Sequence, residues 1–138
     1  ELDDGIRIKI IAGAANGIKG PVEGIAVDPE YLDVEMPPNT EFNHPVNEYH
    51  TVFAYVVEGE AVFGSDQDGL GKGNLVIFTE GNQVGVKTGQ EGTRFILVSG
   101  KPLNEPIAWR GPIVMNTQEE IRTAFMEYRQ GSFVKTSA

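Results

Sequence analysis

Short runs of apolar and β-branched residues recur along this chain at even spacing, and glycine, proline or asparagine lies between them. Such runs predict β-strands, because β-branched side chains pack well on a pleated sheet while proline interrupts its hydrogen-bond ladder. The predicted strands cover residues 6–11, 31–36, 50–57, 60–63, 75–78, 84–87 and 94–99. Many short strands with turns between them are typical of an all-β barrel or jelly roll.

The last part of the chain has a different pattern, which predicts one helix. Thr117 and Glu120 form a capping-box sequence, and Gly131 supplies a residue that ends helices in the left-handed conformation. Between them lies an apolar stripe at helical spacing: Ile121, Ala124, Phe125 and Tyr128. We therefore expect a C-terminal α-helix over about residues 118–130.

The strand predicted over residues 50–57 constrains the architecture further. Glu58-Gly59 after it predicts a hairpin turn into residues 60–63. Val52 shares one face of the strand with His50, whereas Phe53 and Tyr55 lie on the other face. Both faces are apolar, so a second domain or subunit is expected to cover Phe53 and Tyr55.

Composition limits the function classes. The 138 residues suit a single domain, and 20 Asp plus Glu against 11 Lys plus Arg give a net charge of −9. Such a surface disfavours direct binding to nucleic acid or to an anionic membrane. The absence of cysteine excludes disulfides and thiolate metal sites, and we expect a cytoplasmic protein. Because residue 1 is glutamate, we expect a fragment or a processed product.

Several longer segments carry a family resemblance. They are GIKGPV (17–22), YLDV (31–34), FAYV (53–56), GKPLNEPI (100–107), GPIVMNT (111–117) and EEI (119–121). Together they closely resemble the C-terminal domain of the pirin family, over about residues 8–133. The resemblance implies a cupin-type double-stranded β-helix over about residues 6–115, followed by the helix.

Pirins are bicupins, in which two β-barrels pack face to face. In the family the N-terminal barrel holds iron, and members act as quercetin 2,3-dioxygenases or as redox-sensing transcription cofactors. The resemblance implies that this chain is the second barrel, a structural half that packs on an iron-binding N-terminal cupin or on another copy of the chain. The chain alone is then expected to be neither an enzyme nor a holder of a cofactor.

The general cupin pattern locates the positions where metal ligands would stand. Aligning that pattern on Gly59, Gly73 and Gly81 places these positions at Pro45, Asn47, Val52 and Val84. Proline and valine offer no donor atom, and one amide cannot hold a transition metal. We therefore expect no metal and no catalytic residue in this chain.

The two histidines leave a binding function open. Side chains alternate between the two faces of a strand, and His44 is an odd number of residues from Pro45 and Asn47, which stand at inward ligand positions. We therefore expect His44 to face outward. His50 could point into the barrel mouth, as a hydrogen-bonded rim residue or as a ligand contact. The alternative function is a stand-alone, metal-free cupin that binds a small aromatic ligand in a pocket formed by His50, Val52 and Val84.

The segment over residues 102–117 is rich in proline and apolar residues but has no regular period. It could be a buried connection to the helix. The architecture of the pirin family favours a segment that crosses toward the first barrel. Together with Phe53 and Tyr55, this segment would then supply the interdomain contacts: Pro102, Leu103, Glu105, Pro106, Trp109 and Met115.

Overall fold

The computed structural model describes residues 4–65 and 68–135, and these residues divide into two compact units between Pro102 and Leu103. The strands are β1 (Arg7–Ala12), β2 (Ala14–Ala15), β3 (Ile18–Lys19), β4 (Glu30–Met36), β5 (Glu41–Pro45), β6 (Thr51–Phe63), β7 (Leu70–Gly71), β8 (Leu75–Ile77), β9 (Gln83–Lys87), β10 (Thr93–Gly100), β11 (Ala108–Arg110) and β12 (Ile113–Met115). The helix α1 spans Gln118–Gln130.

The first unit is built on one curled antiparallel sheet in the order β1-β4-β10-β6-β9-β5. The long strand β6 pairs with β10 and β8 through its first half and with β7 and β9 through its second half. This architecture confirms the all-β prediction. The sequence pattern did not predict β5 or the small β2–β3 hairpin.

The turn predicted at Glu58-Gly59 is wrong, because β6 continues through both residues. The ladder with β10 shifts register here, since Glu58 pairs with Arg94 while Val56 pairs with Phe95. Gly59 adopts a φ of 70°, and the Gly92 carbonyl oxygen occupies the space where a Cβ would lie. The glycine therefore serves a β-bulge within a strand instead of a hairpin.

The inward side chains of the sheet fill the core of the first unit. Phe95 lies at its centre, with ring centroids 5.4 Å from Phe63 and 6.1 Å from Phe42 in edge-on geometry. Such pairs add about 0.5–1.5 kcal/mol each beyond their area burial. The buried cluster comprises Ile6, Ala15, Leu32, Val34, Met36, Phe42, Val52, Ala54, Val56, Ala61, Phe63, Val84, Val86, Phe95 and Leu97.

The second unit packs α1 against the β11–β12 hairpin. Its helix has the predicted ends: the Thr117 hydroxyl accepts from the Glu120 amide at 3.2 Å, and Gly131 has a φ of 72°. The hydrogen bonds from Thr117 also lower the pKa of Glu120. Ile121 and Ala124 are buried as the stripe predicts, whereas Tyr128 is exposed and contacts Phe133.

Candidate functional site

A cavity of about 440 Å³ opens at one end of the first unit. Its wall is formed by the β2–β3 hairpin, the loop over residues 20–29, and the segment over residues 45–50 that follows β5. Glu30 at the start of β4 and Ser99 near the end of β10 complete the lining. Strand ends and loops thus line this open cavity, and ligand sites often form in such positions at the mouths of β-barrels.

A buried polar pair lies beside this cavity. His44 is 4% exposed, and its Nε2 lies 2.9 Å from Oε1 of Glu30. An ionised Glu30 carboxylate can only accept, so in that state His44 Nε2 is the protonated nitrogen that donates. The imidazole also stacks on Phe42, with ring centroids 5.7 Å apart and planes 5° from parallel.

The expectation that His44 faces outward is therefore wrong. Along β5, Phe42 and His44 point inward while Glu41, Asn43 and Pro45 are exposed. The parity argument took Pro45 and Asn47 as inward positions, but Asn47 lies beyond the end of β5, where strand alternation no longer applies. The apolar Phe42 two residues before His44 was the signal that would have identified the inward face.

The positions of the cupin metal ligands do not come together as one site. Pro45 and Asn47 are exposed at the cavity rim, whereas Val52 and Val84 lie in the core. Among residues 4–65 and 68–135, no three His, Cys, Asp or Glu side chains are grouped to hold a metal ion. The donor chemistry of these positions does not fit a transition metal.

The pocket predicted from His50, Val52 and Val84 is also divided. His50 is half-buried and lines the cavity, but Val52 and Val84 belong to the buried core and do not reach the lining, which mixes apolar and polar residues. Three carboxylates line the cavity, from Glu23, Asp28 and Glu30. The opposing Lys19 lies 3.8 Å from Glu23. The net negative charge of these lining residues favours ligands that donate hydrogen bonds over ligands that are anions.

The opposite side of the sheet carries a second feature, the outer apolar face. Its side chains stand in two rows across β8, β6, β10 and β4: Ile77, Phe53, Val98 and Tyr31, then Leu75, Tyr55 and Ile96. Ile77 is 69% exposed and Tyr55 44% exposed, while Phe53 is half-buried. Contiguous apolar surface of this kind marks interaction sites.

An ion pair borders this face. Arg94 donates from Nε to Asp33 Oδ1 at 2.9 Å and from Nη2 to Oδ2 at 2.8 Å. The hydrogen bond from Arg94 lowers the pKa of Asp33, against the opposing effect of burial. The pair therefore ties β10 to β4 beside the apolar rows.

The segment predicted to form interdomain contacts is largely exposed. Trp109 is 73% exposed with its Nε1 donating to the Gly111 carbonyl at 2.7 Å, and Glu105 accepts from Asn116 at 2.9 Å. Met115 is half-buried, while Pro102, Leu103 and Pro106 are exposed. The segment is thus not the buried connection that was one alternative.

Comparison with known proteins decides the family. The model of the pirin C-terminal cupin domain matches residues 31–134. The chain belongs to the pirin family. Pirin-1 of Arabidopsis thaliana is 38% identical over 92% of this chain, and Pirin of Homo sapiens is 33% identical over 91%. A Thermoplasma acidophilum relative, provisionally named a quercetin 2,3-dioxygenase, is 39% identical over 96%.

A solved structure shares the same fold. The quercetin 2,3-dioxygenase from Acinetobacter baumannii superimposes with a TM-score of 0.86 and 31% identity, covering 96% of this chain and 45% of that one. The chain spans about half the length of the curated pirins it matches, 45% of Pirin-1 and 44% of human Pirin.

Within its described residues, no helix has the length and apolar character to cross a membrane.

Proposed function

We propose that this chain is the metal-free half of a bicupin, and that it packs through its outer apolar face on an iron-binding N-terminal cupin barrel. The parent protein would be a quercetin 2,3-dioxygenase-like oxidoreductase or a redox-sensing regulator. We place it in the cytoplasm, because the sequence has neither cysteine nor an Asn-x-Ser/Thr acceptor. The exposed double row of apolar side chains carries the proposal.

The division of labour follows from donor chemistry. Oxidation of a flavonol by dioxygen needs a redox metal, and the ligand positions here are occupied by Pro45, Asn47, Val52 and Val84. A barrel without metal ligands contributes an interaction surface to the parent protein and no catalytic group. The match to roughly half of each relative leaves a segment of domain size as the natural occupant of the outer apolar face.

The test uses the full-length parent protein with Tyr55→Ser and Ile77→Ser, and with Tyr49→Ser as the matched control. Tyr49 is 77% exposed but lies in the turn before β6, away from the outer apolar face. Calorimetry and iron analysis are the two measurements. We expect the face variants to lower the melting temperature or separate the two barrels into distinct transitions, with iron content unchanged. Equal behaviour of Tyr49→Ser and Tyr55→Ser would refute the interface.

A second candidate function is the stand-alone, metal-free cupin with a small aromatic ligand. The 440 Å³ cavity with His50 in its wall favours it. Since Val52 and Val84 lie in the core, such a ligand would occupy the mouth. Titration of the chain with a flavonol, together with light scattering, separates the two functions: a monomer that binds flavonol through His50 supports the second candidate.

A further inference from the structure

The second unit contains a groove that lies outside the outer apolar face. It lies between β11 and α1, has a volume of about 400 Å³, and is lined by three arginines: Arg110 from β11, with Arg122 and Arg129 from α1. Phe125 and Met126 form an apolar floor between the two helical arginines. We call this feature the arginine groove.

The charge of the arginine groove is opposite to that of the chain. The whole sequence has only 11 Lys plus Arg against 20 Asp plus Glu, and three of the 11 line this one groove. None of the three forms an ion pair with a carboxylate among the described residues. Of the three acids on α1, Glu120 is held by the helix cap and Glu127 by Lys135, while Glu119, three residues before Arg122, forms no ion pair among the described residues.

Helix electrostatics explains only one of these arginines. Arg129 stands in the last turn of α1, where a cation interacts favourably with the helix dipole. Arg122 lies nearer the acidic first turn, and Arg110 is on a strand. Bringing like charges to one groove is unfavourable unless an anion offsets their repulsion.

The positions of the three arginines suit the binding of an oxyanion. Arg122 and Arg129 are seven residues apart on α1, so they stand on one face about 10 Å apart along the axis. The guanidinium of Arg110 lies over the Phe125 ring, with Cζ 5.4 Å from the centroid. This cation–π contact holds the Arg110 side chain against Phe125 at the edge of the groove, where a guanidinium can donate two hydrogen bonds to one oxyanion.

We propose that the arginine groove binds a small organic molecule that carries two or more oxyanion groups on a flat apolar ring. The guanidinium groups match carboxylate, phosphate or sulfonate oxygens, and the exposed Met126 side chain offers the ring an apolar contact beside Phe125. The volume of about 400 Å³ falls within the range of small-molecule sites. This assignment is independent of the outer apolar face, because its residues all belong to the second unit.

The test titrates the chain with naphthalene trisulfonate and follows the Nε–Hε signals of the arginines by NMR. Arg122→Gln and Arg129→Gln each remove one fork, and Arg110→Lys keeps the charge but loses the fork. Arg7→Gln is the matched control, since Arg7 pairs with Glu35 in the first unit. We expect affinity to fall by about tenfold or more in each groove variant and to be unchanged in the control. Circular dichroism verifies that α1 is retained.

Two further probes define the ligand class. Sulfate carries the anion without the ring, and we expect it to bind at least about tenfold more weakly than naphthalene trisulfonate. A glutamate peptide carries anions on a protein chain. Binding of that peptide more tightly than naphthalene trisulfonate would overturn the small-molecule assignment. Equal affinity of sulfate, or equal binding by Arg122→Gln and the parent chain, would overturn the groove itself.

Discussion

The buried pair of His44 and Glu30 allows a quantitative test of the cavity floor. Glu30→Ala removes the carboxylate 2.9 Å from His44 Nε2 and leaves a donor on a side chain that is only 5% exposed. A buried donor without a partner destabilises a protein by about 1–3 kcal/mol. Because water in the adjoining cavity recovers part of this loss, we expect about 1–2 kcal/mol. Glu30→Gln keeps an acceptor and should lose less than about 1 kcal/mol.

The assay is urea unfolding followed by circular dichroism. At a denaturant slope of about 1–3 kcal/mol per molar, the expected loss of about 1–2 kcal/mol moves the midpoint of Glu30→Ala by roughly 0.3–2 M. Glu35→Ala is the matched control on the same strand, because Glu35 pairs with Arg7 at the surface and should contribute less than about 1 kcal/mol. If Glu30→Ala and Glu35→Ala unfold at the same midpoint, the buried pair does not stabilise the fold as argued.

Three further outcomes follow from the same structure. The lowered pKa of Asp33 stabilises the folded chain at pH values above the pKa of an unfolded aspartate, and this stabilisation is lost as the pH falls through the pKa of the folded state. The difference in unfolding free energy between the parent chain and Asp33→Asn should therefore shrink below about pH 4. A difference that stays constant with pH would contradict the Arg94 contact. Thr117→Ala should destabilise by about 1 kcal/mol in urea unfolding, whereas the mid-helix Thr123→Ala should not. Oxygen uptake by the chain with quercetin should equal the blank, and turnover that survives chelation would be incompatible with the residues present.

The sequence predicted the elements whose pattern is local. Alternating apolar residues located β1, β4, β9 and β10, and the capping box with Gly131 placed α1 at its observed bounds. Strand β5 was missed because Glu41-Phe42-Asn43-His44-Pro45 is short, mostly polar and ends in proline. Its stability comes from pairing with β9, which is distant along the chain.

The candidate sites depended on tertiary structure and were harder to predict. Phe53 and Tyr55 were expected on a face opposite Val52, but their cross-strand neighbours Ile77 and Leu75 could be named only from the register of β6 with β8. The cavity likewise joins segments far apart in sequence. Gly59 shows the same limit, because a glycine between two apolar runs is consistent with either a turn or a bulge.

We propose that this barrel contributes an interaction surface and holds no catalytic metal. The most direct measurement is metal content after the chain is incubated anaerobically with one equivalent of Fe²⁺, desalted and analysed by mass spectrometry. We expect less than about 0.1 equivalent of iron, because Pro45, Asn47, Val52 and Val84 supply no adequate donor set. Retention of about one equivalent of iron that is lost in His50→Ala or His44→Ala would contradict it.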